Sequence, residues 1–387
     1  MDFSDEQSKA IDAVGEWLKA PSKQTFYLAG FAGTGKTTLA KYLAEQQDGE
    51  VLFAAYTGKA ASVLNRKGCP ASTIHSLIYK VIPPDQGRIA DLRKKLKDAP
   101  APEKSKLKQE LFELSKPRFR LNEESLINDC ALVVIDEVSM VGPEVGADLI
   151  QFDKKILVLG DPGQLPPVQG GGYFTSHEPD FLLTEVHRQA RDSPIINMAT
   201  VVRQGGRLSK GSYGASLVAD RRKMERSAYL EPDQVIVGLN RTRHSINSSV
   251  RDARDCVGAM PKIGEKIICL RNNHEQGLLN GTQWIVDKVE DKGNYLELDI
   301  VSLDYNGNEP LTVAAHHFDV DLANMPYWDR KRAEEFAFGY AITCHKSQGS
   351  QWPFVLVQDE SYAFREDAKR WLYTALTRAE TKVTVAI

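Results

Sequence analysis

The chain has 387 residues, with 49 Lys and Arg against 52 Asp and Glu for a net charge of −3, and five cysteines. That length accommodates two or three domains, each with its own core. The near-balance of charge excludes a global basic field, so any nucleic-acid contact has to come from local grooves. Cys69, Cys130, Cys256, Cys269 and Cys344 are scattered without a C-x-x-C pair. This argues against zinc or iron–sulfur ligation and suits reduced thiols in a cytosol. No apolar run approaches the roughly 20 residues that span a bilayer, and the acidic start MDFSDEQSKAID is unlike a signal peptide.

In chain order, the first strong element is the apolar run TFYLA, read as a buried strand, followed by GFAGTGKTT and the helical run TTLAKYLAEQ. Gly30, Gly35, Lys36 and Thr37 fill the pattern G-x-x-x-x-G-K-[ST], and the strand–loop–helix context marks a phosphate loop. Glycines let successive N–H groups curl around phosphates with no Cβ in the way, and the helix N-terminus adds partial positive charge. Lys36 is expected to reach the β- and γ-phosphates of ATP, and the Thr37 hydroxyl to ligate Mg²⁺. VLFAAYTGKAASVL then reads as a strand, the turn Thr57-Gly58-Lys59 and a helix. CALVVIDEVSM places Asp136 and Glu137 where a parallel strand would end. Asp136 would hold the metal's water shell, and Glu137 would polarise the attacking water. A Glu after the Asp favours hydrolysis over phosphoryl transfer to a metabolite, so an ATP-hydrolysing enzyme is expected. KKILVLGDPGQLPPV is a buried strand ending at Gly160, Asp161 and Gln164, and strand ends of this kind form the ligand crevice of open α/β sheets. There Gln164 could sense the γ-phosphate. LLTEVHRQAR offers Arg188, and WLYTALTRAETKVTV offers Arg378 on a helix followed by a strand.

Two stretches interrupt this pattern. In 81–120, Ile89, Leu92 and Leu96 fall at helical spacing, as do Leu107, Leu111 and Leu114, with DAPAPEK between them; paired prolines stop helices. The stretch reads as a charged helical hairpin, with an excess of basic residues. KPRFRLN at its end reads as strand-like, with Phe119 either at the tip of a pin or packed down. In 257–328, GEKIICLRNN, GTQWIVDKVED, NYLELDIVSLD and PLTVAAHHF alternate apolar and polar residues between Gly/Asn turns, the pattern of a small barrel. Trp284 is expected to fill its core. His316 and His317 are adjacent, so on a strand they face opposite ways and form no metal pair.

The blocks GFAGTGKT, YTGKAA, STIHSL, VIDEVSM, GDPGQLPPV, TEVHRQ, ITCHKSQGS and YTALTRA stand in the order of the superfamily 1 helicase motifs. The chain resembles the RecD-like and Dda-like branch of that superfamily from Phe3 to Ala379. The resemblance implies an α/β fold of two RecA-like parallel-sheet lobes, with a helical insertion in the first and a small SH3-like β-barrel in the second. The corresponding limits are 1–80 and 121–190 for the first lobe, 81–120 for its insertion, 191–256 and 329–387 for the second lobe, and 257–328 for the barrel. It further implies ATP-driven 5′-to-3′ movement on single-stranded DNA and duplex unwinding, in replication, recombination or repair. Gln7, in FSDEQSKAI, would read the adenine edge. Gly30, Gly33, Thr34, Gly35, Lys36, Thr37, Thr38 and Gly349 would hold the nucleotide, Thr37 and Asp136 the Mg²⁺. Arg188 and Arg378 would act as arginine fingers, worth roughly 10³ to 10⁵ in rate.

Thr57, Gly58, Lys59, His75, Thr343, His345 and Ser347 would line the DNA groove, holding phosphates without reading sequence. Relatives carry a short β-hairpin wedge where this chain has its first insertion, and here the chain departs from the pattern. An RNA or RNA–DNA helicase, and an ATP-gated clamp that binds single strands without unwinding, remain open at this point. A phosphate-loop kinase of small molecules does not explain Gln164, Arg188 and HKSQG together. Expected partners are single-stranded DNA, single-strand/duplex junctions and single-strand-binding or replication and recombination proteins, with no membrane. The chain is expected to be a monomer in the cytoplasm of a bacterial or phage-infected cell.

Overall fold

The strand β1 (Thr25–Gly30) is buried along nearly its whole length, because parallel strands on both sides and helices on both faces leave it no solvent. The structure, a computed structural model, describes residues 3–82, 85–115, 118–166, 172–186, 192–273, 276–304, 309–320, 322, 325 and 327–387. The chain divides into two units.

The first unit comprises residues 1–77, 126–257 and 339–387 and contains two six-stranded sheets. One is built from β1, β2 (Val51–Ala55), β3 (Ala71–Thr73), β6 (Leu132–Asp136), β7 (Ile156–Gly160) and β8 (Phe181–Leu183). Its order is β3-β2-β6-β7-β1-β8, and every pairing is parallel. It is served by α1 (Asp5–Lys19), α2 (Lys36–Glu45), α3 (Gly58–Arg66), α4 (Ile74–Ile78) and α7 (Pro143–Ile150); the next helix, α8 (Pro194–Arg203), packs on the other sheet. The other sheet holds β9 (Gly211–Tyr213), β10 (Ser216–Ala219), β11 (Gln234–Val237), β17 (Ala341–Thr343), β18 (Trp352–Gln358) and β19 (Ala379–Ala386). Its order is β17-β11-β18-β19-β10-β9; only β9–β10 is antiparallel. Its helices are α9 (Asn240–Ala253), α11 (Cys344–Ser347) and α12 (Ala368–Leu376). Leu28, Leu39, Leu132, Val134, Leu157 and Leu159 form the core under the first sheet. The fold is thus a parallel-sheet α/β core.

The second unit comprises residues 78–125 and 258–338. Its first part pairs β4 (Tyr79–Ile82) with β5 (Arg118–Leu121) in an antiparallel ladder. Between these strands the chain runs through α5 (Gln86–Asp98) and α6 (Ala101–Ser115). Asp85 caps α5 by accepting from Arg88 N–H, Ile89 and Leu92 turn inward, and Arg88 pairs with Glu110 of α6 at 3.1 Å. Phe119 lies on β5, half exposed, with its ring 5.8 Å from that of Tyr79.

The second part is a five-stranded antiparallel sheet of β12 (Lys266–Cys269), β13 (Gln283–Asp291), β14 (Leu296–Ser302), β15 (Leu311–Ala315) and β16 (Phe336–Phe338), in the order β15-β14-β13-β12-β16. α10 (Tyr327–Arg330) precedes the last strand. The expected limit of 328 is therefore too early: Phe336 packs into this core and its strand pairs with β12. Ile267, Trp284, Val286, Leu298, Ile300 and Val313 fill the interior, and Trp284 Nε1 donates to Thr282 Oγ1 at 3.0 Å. Trp284→Ala removes the largest of these side chains and leaves a void. The expected loss is about 3–5 kcal/mol, measured by urea unfolding of the full chain. His316 and His317 go separate ways: His316 Nε2 meets Arg330 O at 2.9 Å and His317 Nε2 meets Asp291 at 3.2 Å. Among the described residues no helix is long and apolar enough to cross a membrane.

Candidate active site

The loop after β1 is shaped by two glycines with left-handed backbones, Gly33 (φ 80°) and Gly35 (φ 81°). Gly35 is the N-cap of α2, and a Cβ there would lie 2.8 Å from Gln7 Nε2. Gly30 is equally confined, since a Cβ would meet Thr34 Oγ1 at 2.6 Å. Lys36 Nζ donates to the carbonyls of Gly30 (2.6 Å) and Phe31 (3.1 Å). Thr37 Oγ1 donates to Asp136 Oδ2 at 3.1 Å, bringing the helix start to the end of β6.

Gly33, Gly35, Lys36, Thr37 and Asp136 line a cavity of about 280 Å³ within the first unit, and Gly30 and Thr34 stand behind its wall. Of the residues singled out in the sequence, Gly33, Gly35, Lys36, Thr37, Thr38, Asp136, Glu137, Gln164, Gly349 and Arg378 line it. Glu137 has a left-handed backbone (φ 53°, ψ 42°), a conformation that costs a non-glycine residue roughly 1–2 kcal/mol. Its N–H donates to Asp136 Oδ1 at 2.8 Å, which holds it there. Arg378 Nη1 approaches Glu137 Oε1 to 3.9 Å. Burial pushes the Glu137 carboxyl above its ordinary value, helped by the charges of Asp136 and Asp161; Arg378 and Lys36 pull the other way. Gln164 Oε1 is buried with no hydrogen-bond partner among the described residues. Arg188 lies outside the described residues.

Gln7 does not line the cavity. Its amide donates to Thr34 O (3.1 Å) and accepts from Ser4 N–H (3.1 Å), closing the capping box of α1. These bonds use one of its two N–H donors and one of its two oxygen lone pairs, and they tie the start of α1 to the phosphate loop. Thr57 Oγ1 accepts from Ala60 N–H at 3.1 Å and caps α3, which begins at Gly58. Lys59 is buried, its Nζ 4.6 Å from the centre of the Trp352 ring. His75 stands edge-on to Tyr56, and burial lowers its pKa. Thr343 ends β17. His345 lies 5.9 Å from the Phe364 ring, and burial lowers its pKa against the opposing charge of Asp367.

Ser347 corrects the expectation: it is fully buried and donates to Cys344 O at 2.7 Å, so its hydroxyl braces α11 and faces no groove. Gly349 (φ 72°) ties this segment to α3, since a Cβ would lie 2.9 Å from Ala60 and 3.3 Å from Thr57 Oγ1. Sequence reasoning missed Tyr373, whose hydroxyl contacts the phosphate loop, and Gln351 and Thr377, which line the cavity beside Gly349 and Arg378.

A family model described as an AAA domain matches residues 2–216, more than half of the chain, and one described as a UvrD-like helicase C-terminal domain matches 338–386. The chain belongs to the AAA domain family, in the RecD-like and Pif1-like branch of the superfamily 1 helicases. It is 25% identical to the ATP-dependent RecD2 DNA helicase of Deinococcus radiodurans over 419 residues, covering 98% of this chain and 48% of that protein. It is 26% identical to the ATP-dependent DNA helicase Pif1 of Campylobacter jejuni over 429 residues, covering 93% of this chain and 88% of that one. The chain thus spans about half the length of the first relative and most of the second. The Pif1 helicase from Bacteroides, solved with ADP-AlF3 and single-stranded DNA, superposes with a TM-score of 0.56 at 18% identity, covering 99% of this chain and 92% of that chain. At that identity the likeness speaks for the fold.

Proposed function

We propose that this chain is an ATP-dependent DNA helicase that hydrolyses ATP to move 5′-to-3′ along single-stranded DNA and to unwind duplex. The observation that carries the reading is the meeting, in one cavity, of the phosphate loop, Asp136, Glu137 and Gln164 with Arg378 from the far end of the chain. A hydrolase needs charge brought to the γ-phosphate from both sides, and here opposite ends of the sequence supply it. The names of the relatives, ATP-dependent DNA helicases, and the single-stranded DNA bound by a Pif1 of the same fold support DNA as the track. The polarity rests on the motif wording.

In this reading the amides of Gly33 to Thr38 cradle the phosphates, and Lys36 Nζ exchanges its loop carbonyls for β- and γ-oxygens. The Thr37 hydroxyl and Asp136 carboxylate, 3.1 Å apart, are a hard-oxygen pair fitted to Mg²⁺. Among the described residues no cluster of three or more His, Cys, Asp or Glu could hold a metal, and Mg²⁺ on a nucleotide needs only one or two protein oxygens beside the phosphates. The ion, when bound, neutralises charge on the phosphates. Glu137 orients and deprotonates the attacking water, and the unsatisfied Oε1 of Gln164 is placed to receive it. Arg188 and Arg378 stabilise the charge of the transferred group. Gln7 holds the loop and reads the adenine edge with its remaining N–H and lone pair, and Gly349 carries nucleotide state to the Thr57 loop.

We read the α5–α6 pair as the inserted helical hairpin, and the five-stranded sheet as the SH3-like barrel. Thr57, Gly58, Lys59, His75, Thr343 and His345 belong to the loops that face the strand, and single-strand/duplex junctions are the substrate. A monomer suffices, since both sides of the cavity come from one chain. The test is ATP hydrolysis with no nucleic acid, with single-stranded DNA and with single-stranded RNA, followed by unwinding of forked DNA. Stimulation by DNA and unwinding are expected. Equal stimulation by RNA would widen the track, hydrolysis without unwinding would indicate a clamp, and stimulation by neither would sink the reading.

A further inference from the structure

Beside the cavity lies a buried hydroxyl that the reaction scheme above does not use. Tyr373 sits on α12, three residues before the helix end and on the segment that leads to Arg378. Its side chain is almost entirely buried. Ala32 N–H, in the phosphate loop, donates to the Tyr373 oxygen at 2.8 Å. The Tyr373 hydroxyl donates to Asp161 Oδ2 at 2.7 Å. The other oxygen of Asp161 accepts from Gly163 N–H at 2.8 Å, which closes the turn leading to Gln164. The ring packs on Gly163, where a Cβ would lie 3.0 Å from Tyr373 Cε1.

A phenol has one proton to give. Here it goes to Asp161, so the oxygen presents its lone pairs to Ala32 N–H and, among the described residues, to no other donor. The direction of the bridge is therefore fixed. Burial, and then the charge of Asp161, hold the phenol well above its ordinary range, which keeps it a neutral donor. A phenylalanine would fill the same space. The oxygen brings a polar group into the interior, and what it gains there is a link among three segments that all end at the reacting phosphate.

We propose that the Tyr373 hydroxyl is a positioning group for hydrolysis: through Ala32 and Asp161 it sets the phosphate loop, the Gln164 turn and the Arg378 segment in one register. The inference rests on the reading of the cavity as an ATP-hydrolysis site. Positioning of this kind acts on the chemical step more than on binding, because the loop amides and Lys36 that hold the phosphates are untouched. Misplacing reacting groups by about an ångström can cost on the order of 10² in rate.

Thr374 supplies an internal control. Its Oγ1 accepts from Leu165 N–H at 2.9 Å, so it joins the same helix to the same turn without reaching the phosphate loop. The experiment measures kcat and KM for ATP, at saturating single-stranded DNA, for wild type, Tyr373→Phe, Asp161→Asn, the double variant and Thr374→Val. Tyr373→Phe is expected to lower kcat about tenfold or more with KM within about twofold, and Asp161→Asn to do the same. The double variant should be no slower than the worse single variant, since both break one bridge. Thr374→Val should stay within about threefold of wild type.

The inference is overturned if Tyr373→Phe keeps its kcat, if Thr374→Val loses as much, if KM rises in place of a fall in kcat, or if the two losses multiply. Should Tyr373→Phe not fold, Asp161→Asn against Thr374→Val carries the same test with every ring in place. A wild-type chain without DNA-stimulated hydrolysis would overturn the reading of the site itself. An active wild type with an unimpaired Tyr373→Phe overturns this inference alone.

Discussion

Lys36→Ala is expected to leave no measurable DNA-stimulated ATP turnover, a loss of at least about a thousandfold, in a chain that still folds. The fold should survive because Lys36 buries no core surface; its ammonium caps only the carbonyls of Gly30 and Phe31, and α2 starts from the backbone of Gly35. Turnover should not survive because the same ammonium supplies a full positive charge to the cavity. Removing one neutral donor to developing charge already costs about 10²–10³, and a cation in a water-poor site contributes more than a neutral donor. Phosphate release with saturating single-stranded DNA decides the matter, with thermal unfolding as the check on folding. If turnover persisted within about tenfold of wild type, the assignment of this cavity to hydrolysis would be wrong, because no other cation in the loop could take over.

The phosphate loop was legible because its chemistry has a backbone signature. Two positions need positive φ, Gly33 and Gly35, and only glycine fills such positions cheaply. Asp136 and Glu137 were legible for a related reason: a β-branched run that ends in carboxylates places them at a parallel strand's carboxyl end. What was hidden are contacts across large sequence separations. Nothing in the spacing of YTALTRA says that its tyrosine oxygen reaches Ala32 and Asp161, since helical periodicity specifies a face and not what that face meets.

Gln7 is a different case, because the signal was present. Ser4 and Gln7 have the S-x-x-Q spacing of a capping box, and the glutamine amide does bond to Ser4 and Thr34. Ser347 was misjudged because a serine in a motif loop can bond outward to a ligand or back to a carbonyl three residues earlier, and the sequence does not distinguish the two. The last strand of the five-stranded sheet escaped because FAF is too short for its alternation to be read.

Arg378→Ala is the second large effect, expected to lower kcat by a factor on the order of 10³ while nucleotide affinity stays within about threefold. That factor corresponds to roughly 4 kcal/mol of transition-state stabilisation. Arg378 is almost fully buried, and its guanidinium is held in place on several sides: Nε donates to Thr374 O (3.1 Å), Nη1 to Ser350 O (3.3 Å) and Nη2 to Thr377 Oγ1 (3.2 Å). These bonds aim the group at Glu137 Oε1, 3.9 Å away, before any phosphate is present. Their loss will also lower stability, so alanine alone does not separate structure from catalysis. Arg378→Lys separates them, because it keeps the charge and loses the planar fork. If the role is only charge within the fold, lysine should restore most of kcat. If the role is transition-state stabilisation by an aimed guanidinium, lysine should recover stability and leave kcat depressed by at least about tenfold. Titration with a fluorescent ADP gives the affinity, and steady-state phosphate release gives kcat. An affinity that fell in step with the rate would place Arg378 in ground-state binding, and the arginine-finger role would then have to pass to another residue.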